Sequence, residues 1–317
     1  MESFPPAFLA PLNQNYVTVH ALSAGSLTLP EHLFMQPSVG GASNTVPSLA
    51  FLIQHYDTKT SKLERILFDL GLRKDLKQYP VPLQEYLESR QPLITEPDVS
   101  DSLAAGGLKP DDIDYVILSH VHWDHVGMPS DFKSSQFIVG SGSLALLELG
   151  RNPLPAESNS YFEADLLPVE MTTELPGVHQ VTDAEKRGLF SDVRWKKLGT
   201  LPNVIDVFSD GSLYLVDSPG HLDGHLNLLA RLGPRKLLYL AGDACHDRRI
   251  MRGELEIGMW KNLHGEQCCV HVDKEATLKT IELIARLEKM GVEVVLAHDS
   301  EWLNEEGNKK RFWPGKM

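Results

Sequence analysis

Apolar and polar positions change period several times along the chain. Tyr16–Leu22, Val46–His55 and Leu63–Asp69 are runs of branched and aromatic residues bounded by Gly, Pro, Asn or charged clusters, which predicts strands. Leu70-Gly71 predicts a turn after the third run. Residues 73–106 are mixed and partly helical in pattern. Lys109-Pro110-Asp111-Asp112 then breaks the chain ahead of Tyr115-Val116-Ile117-Leu118, a short apolar run suited to a buried strand, and this puts His120 just past a strand end. Gln136–Val139 predicts a further strand, and Ser143–Leu149 a helix stopped by Gly150. From 151 to 203 the pattern weakens among prolines and charges, so a cap or insertion over the scaffold is expected there.

Regularity returns with Val204–Phe208, Ser212–Val216, His225–Leu232 and Lys236–Leu240, closely spaced strands with Asp210-Gly211 as a hairpin turn. Asp273 is placed to cap a helix carrying Leu278, Ile281, Ile284 and Leu287 on its apolar face, ended by Gly291. Val292–Leu296 is then a final buried strand that delivers His298. No repeat and no long Gly-, Ser- or Pro-rich linker divides the chain, so residues 1–317 read as one domain. Strands and helices in both halves give a layered α/β protein, with the stacking of its sheets left open by periodicity alone.

Composition narrows the function classes. Thirty Lys and Arg against 43 Asp and Glu give a net charge of −13, which argues against a nucleic-acid backbone or an acidic membrane surface as partner. The three cysteines, Cys245, Cys268 and Cys269, cannot make a disulfide framework, and a reducing interior suits them better. No basic n-region precedes an apolar run at Met1–Pro6, and no stretch approaches the roughly 18 apolar residues of a membrane span. The expectation is a cytoplasmic protein with no membrane span and no nucleic-acid partner, and a homodimer is left open. Thirteen histidines are the first hint of chemistry.

The decisive stretch is Ser119-His120-Val121-His122-Trp123-Asp124-His125-Val126-Gly127, which sets four candidate metal ligands into six positions after an apolar strand. In an extended segment His120 and His122 point to one side, and a turn brings Asp124 and His125 to a neighbouring point. Imidazole and carboxylate ligands bind zinc at about 2.0–2.2 Å, so one loop can serve two adjacent ions. Three further strand ends carry a ligand type: His221 after Asp217-Ser218-Pro219-Gly220, Asp243 after Leu240-Ala241-Gly242, and His298 after Leu296-Ala297.

On these residues the chain resembles the metallo-β-lactamase superfamily, whose His-x-His-x-Asp-His loop is matched at every position by residues 120–125, with the later ligand positions present in family order. The resemblance implies an αβ/βα four-layer sandwich holding two divalent cations, two zinc ions by preference, with iron, manganese or cobalt open. It implies His120, His122 and His221 on one cation, Asp124, His125 and His298 on the other, and Asp243 bridging them. Asp69 matches a position that orients a ligand histidine. The implied activity is hydrolysis by a metal-bridging hydroxide, without an organic cofactor, with Asp124 also exchanging a proton with the leaving group.

Within the superfamily the phrases Ser119–Gly127, Ser218–His225 and His20–Gly25 resemble N-acyl homoserine lactonases, the quorum-quenching members. That resemblance implies opening of a small neutral or apolar cyclic ester. Those lactonases usually carry tyrosine three residues after the bridging aspartate, where this chain has His246, a candidate hydrogen-bond donor to the substrate oxyanion. The difference keeps a lactam, cyclic amide or carbamate open as substrate, with a glyoxalase-II-like thioesterase or a nuclease less favoured. His225 reads as a packing residue near the ligands and Cys245 as core. His264, Cys268, Cys269 and His271 fit no metal spacing and read as a surface loop or buried packing. Phe34, Met35, Trp123, Trp260 and Trp302 are candidate pocket residues, and Gly40–Pro47 is a candidate lip over the site.

Overall fold

Alternation along each strand sorts the side chains into layers. In the computed structural model, which describes residues 8–150, 161–180, 189, 193–262 and 264–317, Leu49, Phe51 and Ile53 enter one apolar cluster while their neighbours Ala50 and Leu52 enter another. The first cluster lies between two sheets: Val19, Ile66, Ile117 and Ile138 from one meet Leu215, Leu228, Leu240 and Val295 from the other. The outward-facing residues of the first sheet pack with Val99, Leu103 and Leu147. Those of the second sheet, such as Leu229, Tyr239 and Val294, pack with Ile281, Ile284 and Leu287 of the helix Lys274–Lys289. The result is helix, sheet, sheet, helix, the expected four layers.

The first sheet runs Val17–Pro30, Ser43–Asp57, Lys62–Phe68, Tyr115–Ile117, Gln136–Val139 and Thr172–Glu174 in spatial order. Its first three strands are antiparallel and the rest parallel. The second sheet runs Glu293–Val295, Lys236–Leu240, Leu226–Gly233, Leu213–Asp217, Leu201–Asp206 and Lys196–Leu198, antiparallel except for the first pair. The described part of the 151–203 segment thus supplies an edge strand to each sheet; residues 151–160, 181–188 and 190–192 lie outside the described residues.

Three expectations change in three dimensions. Asp273 does cap the long helix, its side chain accepting from the Ala276 amide, but the buried stripe starts at Thr277 and Leu278 is turned to solvent, 47% exposed. At 100° per residue Leu278 sits beside the Thr277–Ile281–Ile284 row rather than on it. Trp302 is core, packed between the sheets. Only the start of Gly40–Pro47 is free to act as a lip, because Ser43–Pro47 is paired with Ser26–Pro30 in the sheet.

Both sheets deliver their ligand-bearing loops to one end of the sandwich. Hydrogen bonds cross between them there, the Leu226 amide donating to the Ser119 carbonyl at 2.7 Å and Leu49 to Ala297 at 3.0 Å, while within the second sheet Ala297 donates to Gly242 at 3.0 Å. Close approach requires glycine at Gly242, which has φ +48° and where a Cβ would stand 2.9 Å from His225 Nε2. At Gly220, with φ +128°, a Cβ would meet the Thr277 amide nitrogen at 2.3 Å, so the turn that presents His221 packs directly on the long helix.

Candidate metal centre

The loop after Tyr115–Ile117 is fixed before any ligand is considered. The Leu70 amide donates to the His125 carbonyl at 2.8 Å, Gly127 donates to Gly71 at 2.9 Å, and the His125 amide closes a turn on His122 at 3.1 Å. The Ser48 hydroxyl donates to the Asp124 carbonyl at 2.7 Å, and the buried Tyr79 hydroxyl to the Trp123 carbonyl at 3.0 Å. Beside it, the buried Arg73 donates through Nε to the Gly127 carbonyl at 2.8 Å and pairs with Glu163 at 2.6 Å.

All seven sequence-derived ligand candidates converge, in the grouping the motif implies. Nitrogen and oxygen atoms of His120, His122, His221 and Asp243 form one group, and those of Asp124, His125 and His298 another. Asp243 stands between: one oxygen is 3.8 Å from His120 Nε2 and 3.6 Å from His221 Nε2, the other 3.2 Å from His125 Nε2 and 3.4 Å from His298 Nε2. Asp124 Oδ2 is 3.5 Å from His298 Nε2.

The outer atoms of these rings settle which inner atoms are free. The His298 Nδ1–H donates to the Pro47 carbonyl at 2.7 Å. The His125 Nδ1–H donates to Asp69 Oδ2 at 2.9 Å. Asp69 also accepts from the Ser119 amide at 2.6 Å and hydroxyl at 2.8 Å, which leaves the Ser119 oxygen to accept from His120 Nδ1–H at 3.0 Å. With their Nδ1 atoms engaged, the Nε2 atoms of His120, His125 and His298 all point inward. Replacing Asp69 by alanine is therefore expected to lower metal affinity about 10- to 100-fold. Competition against a chromogenic chelator measures this; an unchanged affinity would mean that Ser119 and the loop hold the rings unaided.

These inward atoms stand about as close together as the ligands of a shared cation. His120 Nε2 and His122 Nδ1 are 3.0 Å apart, and His122 Nδ1 and His221 Nε2 3.1 Å. Ligands about 2.0–2.1 Å from a tetrahedral zinc ion stand about 3.3 Å apart. The facing atoms His125 Nε2 and Asp243 Oδ1 are both buried without a hydrogen-bond partner, an arrangement that costs free energy unless a ligand satisfies it.

Protonation tells the same story. Burial above all pushes His122 down to about 4 and holds His120 and His221 well below the usual histidine range, which is the neutral form a metal needs. His298 goes the other way, up to about 10, because Asp243 and Asp124 outweigh its burial, and His125 rises well above its usual range on Asp243 and Asp69. Asp243 is held well below the carboxylate range despite its burial, chiefly by His125 and His298. Positive charge therefore collects on His125 and His298, which would share one cation, while the His120, His122 and His221 side stays neutral.

His225 and His271 brace the ligands. The Asp243 amide donates to His225 Nε2 at 3.0 Å, the supporting role expected near the site. Of the surface-loop and buried-packing readings His271 takes the buried one, and beyond either its Nδ1 is 3.2 Å from His221 Nδ1, in a third group with His221 and His246. Its fifty-residue separation from His221 gave no local signal. His264 stays exposed and Cys268 half-buried, while Cys245 is packed in the helix-side core.

His246 is buried with Nε2 3.1 Å from Asp243 Oδ2 and Nδ1 unpartnered. It lines a cleft of about 810 Å³ over the ligand cluster, whose walls include Leu29, Phe34, Trp123 and Trp260. Met35, expected there, lines a neighbouring cavity instead. Phe162, from the segment read as a cap, stacks on His122 with ring centroids 5.9 Å apart.

The described residues form a two-sheet α/β sandwich with a buried histidine–aspartate cluster under an open cleft. The chain belongs to the metallo-β-lactamase superfamily, whose family model it matches over residues 64–290. Over 99% of its length it is 29% identical to cytochrome P450 monooxygenase mpaDE of Penicillium brevicompactum, of which the match spans 37%. It is 31% identical to gamma-lactamase FDB1 of Fusarium pseudograminearum over 76% of this chain and 56% of that one. Among solved structures it resembles an N-acyl homoserine lactone hydrolase with N-hexanoyl-L-homoserine bound at its catalytic metal center, with a TM-score of 0.62, 19% identity and coverage of 95% of this chain and 99% of the other. Among the described residues no helix is long and apolar enough to cross a membrane.

Proposed function

We propose that this chain opens a small lactone, using two divalent cations held by His120, His122 and His221 on one side, Asp124, His125 and His298 on the other, and Asp243 between. The observation that carries the reading is the convergence of these groups at the floor of an apolar cleft. When bound, the cations supply hydroxide at neutral pH and polarise the acyl oxygen. The residues of the chain do the rest. The apolar wall of Leu29, Phe34 and Trp123 holds the ring and displaces water. Asp124, which lines the cleft, takes the proton released by the attacking water and passes it to the departing alkoxide. His246 donates a hydrogen bond to the oxygen on which charge develops.

A second reading has one specific support: the similarity to a gamma-lactamase, together with histidine at 246. An amide nitrogen must be protonated as it leaves, which an alkoxide requires less, and a histidine at 246 would be its proton donor. Metal-loaded protein given a matched γ-lactone and γ-lactam, with ring opening read as gain of one water by mass spectrometry, separates the two. Lactone turnover is expected. Turnover of the lactam alone would transfer the assignment to C–N hydrolysis, and turnover of neither would remove both.

A further inference from the structure

Above the metal ligands the cleft holds a cation that the hydrolytic site does not account for. The helix Val81–Leu87 continues as a tight turn, Glu88–Arg90, and tucks Arg90 into the cleft wall at only 5% exposure. Arg90 donates from Nε to the Tyr86 hydroxyl at 3.0 Å, and Nη2 donates to the same oxygen. Its guanidinium lies 4.8 Å over the Tyr86 ring and 5.9 Å over that of Phe34. Nη1 has no hydrogen-bond partner and no contact with solvent. Among the described residues no carboxylate pairs with it.

That arrangement is unlike the other buried arginines. Arg73 is neutralised by Glu163 and spends its donors on the Gly127 and Gln78 carbonyls, and Arg231 donates to the Phe8 and Gly211 carbonyls. A guanidinium stays protonated in any protein setting and carries five N–H donors in a planar fork. What sets Arg90 apart is Nη1: leaving a donor of a buried guanidinium unpaired is unfavourable unless something that binds there accepts from it. Arg90 lines the same cleft as His122, Asp124, Asp243 and His298, so the incoming group arrives with the molecule whose ring reaches the metals.

We propose that Arg90 is a specificity-determining residue, and that the lactone carries a carboxylate which its guanidinium binds. A carboxylate can accept from the unpartnered Nη1 and bring a negative charge to the guanidinium. The aromatic faces of Phe34, Tyr86 and Trp123 around it suit an aryl or unsaturated scaffold between acid and ring. The inference rests on the lactone reading above and refines it from a neutral to an acidic substrate.

The test compares an aryl γ-lactone bearing a carboxylate with its primary carboxamide, nearly the same shape without the charge. Metal-loaded wild-type protein is expected to favour the acid about 10- to 100-fold in kcat/KM, the range for a hydrogen-bonded charged group, with the difference in KM. In Arg90→Met the preference should collapse to about one, and Arg90→Lys should recover part of it. Thermal melting of each variant shows whether it is folded. Equal use of acid and amide by the wild type, or an equal loss on both in Arg90→Met, would overturn the proposal. Should the wild type open neither compound, the lactone reading fails. Arg90 is then judged by quenching of tryptophan fluorescence: tighter binding of acid than amide in the wild type but not in Arg90→Met upholds it, and equal binding overturns it.

Discussion

Asp243→Asn is expected to lower hydrolytic turnover by at least about 10³-fold, the effect of removing several kcal/mol of charge stabilisation from the reacting centre. The substitution keeps volume and removes only charge. Both carboxylate oxygens of Asp243 face imidazole nitrogens, within 3.2–3.8 Å of four different rings, and its amide is held by His225. No other residue of the cluster touches both groups in this way. Asparagine turns one acceptor into a donor, which must then point at a lone pair or a cation. Metal content by elemental analysis should fall along with turnover, while circular dichroism stays that of the folded chain. Activity within tenfold of wild type, at full metal content, would remove Asp243 from the reaction.

Stripping the metals is expected to produce the largest change in stability. At metal concentrations about a thousandfold above the dissociation constant, binding contributes about 4 kcal/mol to the folded state, or about 6 °C in Tm for a domain of this size. Differential scanning fluorimetry with and without chelator measures it. The size of the loss should depend on pH. Without cations, the protons on His125 and His298 take their place. The folded value for His298, about 10, lies above the ordinary 6.5, so its contribution is complete below 6.5 and disappears as pH rises through 10. Chelation should therefore cost more at pH 9 than at pH 7. A Tm indifferent to chelator throughout would mean that the cluster is held by packing alone.

How much of this was legible in the sequence follows from where the chemistry is written. His120, His122, Asp124 and His125 are neighbours in the chain, and His221, Asp243 and His298 each follow a short apolar run, so residue type plus strand end locates them. Strand alternation was equally readable, because a period of two is imposed by the backbone. Arg90 and His271 were not readable. Arg90 follows a weakly patterned stretch and gains its meaning only when Tyr86 and Phe34 close around it; His271 becomes a support only because a loop brings it against His221. The misplacing of Leu278 and Trp302 has the same origin, since apolar type says that a side chain is buried somewhere but not against which layer.

The hydrogen bonds of Asp69 carry one consequence further. This single carboxylate grips His125 directly and His120 through the Ser119 hydroxyl, and those two rings serve different cations in the proposed arrangement. A first ion that pulls His120 into line stiffens Ser119 and Asp69, and with them the ring awaiting the second ion. In that arrangement occupancy of the two positions is expected to be coupled, with the half-filled state disfavoured relative to the empty and full ones.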